Sequence, residues 1–329
     1  MRAVLFDRAG DPAEVLQLRD AGKPTPGRGE VLVRMVASPV NPSDLMYVRG
    51  VYGLKPTFPA TPGFEGVGVV ETAGGGLLGW WRTGKRVAVL NDRRGNWAEY
   101  TVTTARQVIP IPDDISDAQA ATFFVNPMTA VALTRHVLAV PPGGWLLQTA
   151  ANGALGRMVI RLGKKYGFKT INVVRDRGQV GELTALGADA VVTTDDDLAD
   201  RVKAITGADG VRYAIDPVGG DLAARVLHCL APGGRLVLYG TLSDAPLSCD
   251  PRLLMQGGLA VEGFWLGRWA KRRSIPQMLR MVREVRGLLR EGVLTTENVE
   301  EFPLDRVREA VARAAAPGKN AKVLLRIGA

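Results

Sequence analysis

The run Gln148-Thr149-Ala150-Ala151-Asn152-Gly153-Ala154-Leu155-Gly156 follows an apolar tetrad, Trp145-Leu146-Leu147-Gln148, and opens a segment with Met158, Val159, Ile160 and Leu162. A strand, a glycine turn and a helix in that order point backbone N–H groups at the start of the helix, where a pyrophosphate binds. One glycine of the usual triplet is replaced by alanine, and a second strand, Thr170 to Val174, supplies the context that the turn alone lacks. An NAD site carries an acid about 20 residues past the glycines for the ribose 2′-hydroxyl. Here that place holds Arg175, with Arg177 close by and Asp176 between them. A guanidinium suits a 2′-phosphate, so the residues predict NADPH rather than NADH, held by Asn152, Gly153, Ala154, Leu155, Gly156, Arg175, Asp176 and Arg177.

Other chemistry is sparse. Cys229 and Cys249 are the only cysteines, and His136 and His228 the only histidines. Two thiols make neither a disulfide framework nor a four-thiolate zinc site, and they suit a reducing cytoplasm. Both histidines fall on predicted helices. Cys229 adjoins an apolar helix face with no activating cation in view and reads as packing. No metal is expected.

The chain has 329 residues, 46% hydrophobic and 23% charged, enough for two domains with separate cores. It contains no apolar run long enough for a membrane span. Met1 to Phe6 reads as a first strand and not a signal peptide, because Asp7 and Arg8 interrupt it. The net charge of +9 raises a nucleic-acid partner. The basic residues are scattered, however, and no nucleic-acid-binding motif accompanies them, so an RNA-binding nucleotide sensor is the weaker alternative. Two clusters stand apart, Trp80 to Arg86 and Arg268 to Arg273. Each is either a solvated surface or a grip on an anionic handle, such as the phosphates of coenzyme A or an acidic carrier protein.

These residues need elements to position them. Residues 1–118 are β-rich and cut by Gly and Pro turns, with strands over Glu30 to Ala37, Gly66 to Val70 and Arg86 to Leu90. Ser116 caps a predicted helix through Phe124. Strands then alternate with helices: 145–148, 170–174, 190–193, 213–216, 235–239 and 259–263. This is the pattern of a doubly wound parallel sheet in an α/β protein, and residues 119–267 form the expected nucleotide domain. An amphipathic helix over 274–291 and a last strand at Lys322 to Leu325 are expected to rejoin the first domain as residues 268–329.

The landmarks Asn41-Pro42-Ser43-Asp44, Pro62-Gly63-Phe64-Glu65-Gly66, Asn126-Pro127-Met128-Thr129-Ala130 and Ala231-Pro232-Gly233-Gly234 resemble those of the medium-chain dehydrogenase/reductases over essentially the full length. That resemblance implies a GroES-like β-rich catalytic domain beside a Rossmann domain. Gly50-Val51-Tyr52, Gly95-Asn96-Trp97, the 171–177 run and Gly263-Phe264-Trp265-Leu266 with Trp269 are most similar to zinc-independent 2-enoyl thioester reductases of the mitochondrial type. Zinc-using relatives place a cysteine where Asn41 stands and a histidine where Phe64 stands. The segment Phe58 to Gly68 looks more like the quinone reductase branch, and Gly153, Leu155 and Arg157 depart from the thioester reductases.

Reduction of an activated C=C bond needs a hydride at the β-carbon, a proton at the α-carbon and a donor to the carbonyl oxygen. A phenol, with an ordinary pKa of about 10, donates at neutral pH. The resemblance places Tyr52 at the catalytic tyrosine; the alternatives are that Tyr52 is only a lid, or that Tyr47 is the donor. It also implies that Asn126, Tyr239, Gly240, Thr241, Leu242, Phe264, Trp265 and Leu266 meet the cofactor. Lys322 is either a cofactor contact or a surface charge. Asn41 and Trp97 are candidate substrate contacts, and for Trp97 and Trp265 core packing explains the residue equally well. The expected substrate is an enoyl thioester of coenzyme A or acyl carrier protein, with a quinone or general enone as alternative. A homodimer paired through the sixth strand is expected by the same resemblance.

Overall fold

The structure, a computed structural model, describes residues 1–207, 210–316, 318 and 321–328. It divides into two compact units, Met1–Val125 with Thr296–Ala329, and Asn126–Thr295.

In the second unit six strands form one parallel sheet, in the order Ala190–Thr193, Lys169–Val174, Trp145–Gln148, Val211–Asp216, Leu230–Leu238, Ala260–Gly263. Numbered along the chain this is 3-2-1-4-5-6, the doubly wound order whose direction reverses between the first and fourth strands. The central strands carry the apolar runs expected of a sheet covered on both faces: Leu146, Leu147, Ile171, Val173, Ala214, Ile215, Leu236 and Val237 are all buried. Helix Ala154–Tyr166 lies in the first crossover and stops at Gly167, whose φ of 79° is the left-handed cap that favours glycine.

The first unit is built on a seven-stranded sheet. Its path runs Val299–Pro303, Lys322–Arg326, Glu30–Pro39, Glu65–Ala73, Arg86–Leu90, Val108–Pro110, and Tyr100–Thr104 also pairs with Glu30–Pro39. The last strand runs antiparallel to Glu30–Pro39, with Leu324 opposite Pro39 and Arg326 opposite Ala37. That register brings residue 322 level with residue 41.

The boundaries lie at 125/126 and 295/296, whereas the sequence suggested 118/119 and 267/268. Two helices account for the difference. Helix Asp117–Ala121, capped by Ser116, is tied into the first unit by Arg86 to Asp117 (2.6 Å) and by Gln119 to Thr296 (2.9 Å). Helix Ile275–Arg290 belongs to the second unit. It buries Met281, Val285, Leu288 and Leu289. The Tyr166 hydroxyl donates to Glu284 (2.9 Å), and Lys165 pairs with Glu291 (2.7 Å). Only the segment from Thr296 onward returns.

Candidate active site

The glycine turn of the second unit is braced from both sides. The Gln148 amide donates to the Gly156 carbonyl (2.9 Å) and to Asn172 Oδ1 (2.7 Å), clamping the turn to the neighbouring strand. A Cβ on Gly156 would lie 2.4 Å from the Ala151 carbonyl oxygen, so glycine is what lets the helix start against the strand end. Gly153 is the exposed N-cap of helix Ala154–Tyr166, which leaves the first-turn amides facing outward. Arg157, nearly buried, reaches from that first turn to Asn152 Oδ1 (3.0 Å) and to Glu182 (2.8 Å), fixing the Asn152 side chain. An open helix N-terminus, a glycine-permitted close approach and an adjacent cation fit a dinucleotide pyrophosphate.

Beyond the second strand, Arg175, Asp176 and Arg177 are exposed. The Asp176 carboxylate accepts from the Gly178 N–H (2.8 Å) as the cap of the short turn Arg177–Gln179. Arg177 pairs with Asp196 (3.0 Å). Of the two guanidiniums, Arg177 is therefore the one shared with a carboxylate.

The switch point holds a group that sequence reasoning passed over. Asp216 ends strand Val211–Asp216, fully buried, and accepts from the Thr149 hydroxyl and from the N–H groups of Val218 (3.1 Å) and Gly219 (2.6 Å). Burial raises its pKa against those hydrogen bonds. It links the ends of the first and fourth strands, and its signal was an acid closing the apolar run Ala214-Ile215. Next to it, the Tyr239 N–H donates to the Asp216 carbonyl (2.9 Å), and the Leu242 N–H to Pro217 (2.9 Å). Gly240 lies so close to Pro217 that a Cβ would sit 2.7 Å from its carbonyl oxygen. Burial, reinforced by the Asp216 charge, drives the Tyr239 phenol far up, so it stays protonated. Thr241 follows in the same loop, and Leu242 is exposed. Phe264 is anchored by its N–H to Leu238 (2.7 Å), and Trp265 caps helix Leu266–Lys271. These residues share the carboxyl edge of the parallel sheet, the edge at which such folds bind ligands. Asn126 stands half-buried on helix Val125–Val131.

The first unit gathers a separate set. Lys322, brought level with Asn41 by the strand register, donates to Asn41 Oδ1; Asn41 Nδ2 donates to Glu65 Oε1 (3.0 Å). Glu65 also accepts from the Phe124 and Val125 N–H groups (2.9 Å each). Asp44 accepts from the N–H groups of Asn41 (2.8 Å) and Phe64 (2.9 Å). All four side chains are buried. Burial pushes Asp44 up to about 7 and raises Glu65, while it lowers Lys322. Lys322 is thus a buried cation in a polar cluster rather than a surface charge. A carboxamide held by an ammonium, with a phenyl ring where zinc-using relatives place a histidine, does not fit a zinc ion.

Tyr52 is half-buried, its ring 5.1 Å from that of Phe64. The backbone N–H groups of Val51 and Tyr52 both donate to the Met46 carbonyl (3.1 and 3.2 Å), tying the loop to helix Pro42–Val48. Tyr47 is a core ring, edge-on to Phe6 and Phe64, with its phenol raised by burial. Trp97 is completely buried and donates to the Pro39 carbonyl (3.3 Å), so its surface is taken up by the core of this unit. In the second unit the Cys229 thiol is buried and pushed up to about 12, as packing requires.

Comparison with known proteins follows the same division. The pattern described as alcohol dehydrogenase GroES-like domain matches residues 27–113, and that described as zinc-binding dehydrogenase matches residues 154–284. The mitochondrial enoyl-[acyl-carrier-protein] reductase of Mus musculus is 35% identical over 99% of this chain and 88% of its own length. The Escherichia coli quinone oxidoreductase complexed with NADPH is 26% identical, with a TM-score of 0.90 over 99% of this chain and all of its own. The complex of Etr1p with NADP and crotonyl-CoA is also 26% identical, with a TM-score of 0.85 over 99% of each chain.

Proposed function

The chain belongs to the medium-chain dehydrogenase/reductase family, and we propose that it uses NADPH to reduce the C=C bond of trans-2-enoyl thioesters. NADPH, when bound, supplies the hydride for the β-carbon. The chain's own residues do the rest. The amides opening helix Ala154–Tyr166, with Asn152 fixed by Arg157, hold the pyrophosphate, and Arg175 takes the 2′-phosphate, assisted by Arg177. The Asp216–Thr149 pair keeps the two strand ends together, and Tyr239 to Leu242 with Phe264 to Leu266 shape the carboxyl edge. Asn126 completes the cofactor contacts. Tyr52 donates to the thioester carbonyl and delivers the α-proton. The observation that carries this reading is the half-buried phenol of Tyr52, its ring tilted against that of Phe64, in a unit whose buried cluster is an ammonium–amide–carboxylate set unsuited to zinc.

A second reading, an NADPH:quinone or general enone reductase, is favoured by the fold similarity to the E. coli quinone oxidoreductase. Absorbance at 340 nm with crotonyl-CoA and with a simple quinone separates the two. Loss of a general acid typically lowers the rate by about 10²–10⁴-fold, so Tyr52→Phe should abolish most thioester reduction and spare quinone turnover. Quinone turnover alone, indifferent to the substitution, would select the second reading.

A cytoplasmic homodimer completes the proposal. Ala260–Gly263 is an edge strand, and Met255 on the adjacent helix Pro251–Gly257 is 79% exposed. Among the described residues no helix is long and apolar enough to cross a membrane. Light scattering at twice the chain mass is the expected result.

A further inference from the structure

From Arg268 to Arg290 the chain carries eight Arg and Lys residues against one acid, Glu284, so this short segment holds most of the net charge of +9. The nearby carboxylates are engaged from behind, Glu284 by Tyr166 and Glu291 by Lys165. Arg268, Lys271, Arg272, Arg273, Arg280 and Arg283 are exposed, and none pairs with a carboxylate among the described residues. Helix Ile275–Arg290 turns Met281, Val285, Leu288 and Leu289 inward, so its outer stripe runs through residues 275, 279 and 283. Two of these are bare aliphatics: Ile275 is 66% exposed and Leu279 59%. The stripe is thus a pair of apolar anchors set in unneutralised cations.

We propose that this surface, helices Leu266–Lys271 and Ile275–Arg290, docks an acidic carrier protein that bears the enoyl thioester; the inference rests on the thioester reading above. A helix on the partner with carboxylates around one or two apolar side chains would be its complement. Size argues for a protein over the coenzyme A handle, because residues 275 to 290 alone extend about 22 Å at 1.5 Å per residue, beyond one diphosphate. Composition argues against single-stranded nucleic acid. The outer stripe has no aromatic side chain for base stacking. Trp265 and Trp269, the aromatics nearby, are capped by Arg268 and Arg273, with guanidinium-to-ring distances of 5.2 and 4.6 Å. Helix Leu266–Lys271 starts directly after Phe264 and Trp265, at the carboxyl edge of strand Ala260–Gly263. A carrier seated here therefore presents its thioester arm to the edge proposed to hold the cofactor.

The test uses the full-length enzyme, crotonyl-CoA, crotonyl-loaded acyl carrier protein, and the double variant Arg280→Glu/Arg283→Glu, with Leu279→Ser as a second, uncharged probe. Direct binding of unloaded acyl carrier protein is measured by fluorescence anisotropy, independent of turnover, along with anionic vesicles and single-stranded RNA. The proposal predicts that the double variant raises KM for the carrier substrate and Kd for the carrier at least 10-fold, and that Leu279→Ser weakens both. It also predicts unchanged kcat, a KM for crotonyl-CoA within 2-fold, and loss of the carrier preference in high salt. Equal effects on both thioesters, no effect on carrier binding, or loss of vesicle or RNA binding in its place would overturn it. If the wild-type enzyme reduces neither thioester, the proposed reaction fails, while the anisotropy result still decides the docking surface.

Discussion

Arg175→Ala tests the cofactor assignment where the structure gives the sharpest expectation. Arg175 stands exposed past the end of strand Lys169–Val174, while Arg177 is shared with Asp196 and Asp176 is tied to the Gly178 amide. A hydrogen bond to a charged group contributes about 1.5–3 kcal/mol, and solvent exposure favours the lower part of that range. Taking about 1.5–2 kcal/mol, the Kd for NADPH should rise roughly 10- to 30-fold. NADH has no 2′-phosphate to lose, so its affinity should stay within roughly 2-fold, as follows from a contact made only to that phosphate. Adding Arg177→Ala should give only roughly a further 2- to 4-fold, because that guanidinium already has a surface ion-pair partner. Titration of nucleotide fluorescence with each variant measures all four constants. Equal weakening of NADPH and NADH, or no change in either, would refute the 2′-phosphate role.

Three further outcomes follow from the geometry. Gly156→Ala places a Cβ 2.4 Å from the Ala151 carbonyl oxygen, so it should destabilise the second unit by about 1–3 kcal/mol in urea titration and weaken NADPH binding as well. Lys322→Met leaves the buried Glu65 and Asp44 without their nearby cation and should destabilise the first unit by about 3–5 kcal/mol, read as a lower urea midpoint. The third concerns pH. Asp44 has a folded pKa of about 7, above its unfolded value, so the folded state binds the extra proton. Stability therefore falls as pH rises from about 4 to 7 and levels off above, and Asp44→Asn should flatten that slope in thermal melts.

The second unit was legible because its signals are local. Apolar runs bounded by glycine turns mark each strand, and a strand followed by a helix can return to the same sheet in essentially one hand. The parallel sheet and the glycine turn follow from these, whereas the strand order does not, because more than one doubly wound order obeys the same crossover rule. The first unit's buried cluster was not legible, because Lys322 meets Asn41 only through the antiparallel register of a strand that returns from the far end of the chain. The Ile275–Arg290 helix shows a different limit. Its period announces a buried face, but hydrophobic burial is non-directional, so the pattern does not say which core it covers. Trp97 shows the same limit for a single side chain, since an aromatic suits a pocket wall and a core equally until its neighbours are known.

Hydride addition to the β-carbon of an enoyl thioester, with a proton delivered to the α-carbon, is tested most directly by reducing crotonyl-CoA with 4-deuterated NADPH in water, and with unlabelled NADPH in deuterated water, then locating the label in the butyryl product by NMR. Cofactor deuterium is expected at the β-carbon and solvent deuterium at the α-carbon, with product formation suppressed in Tyr52→Phe. No saturated thioester from either reaction, while the same enzyme oxidises NADPH with a quinone, would contradict it.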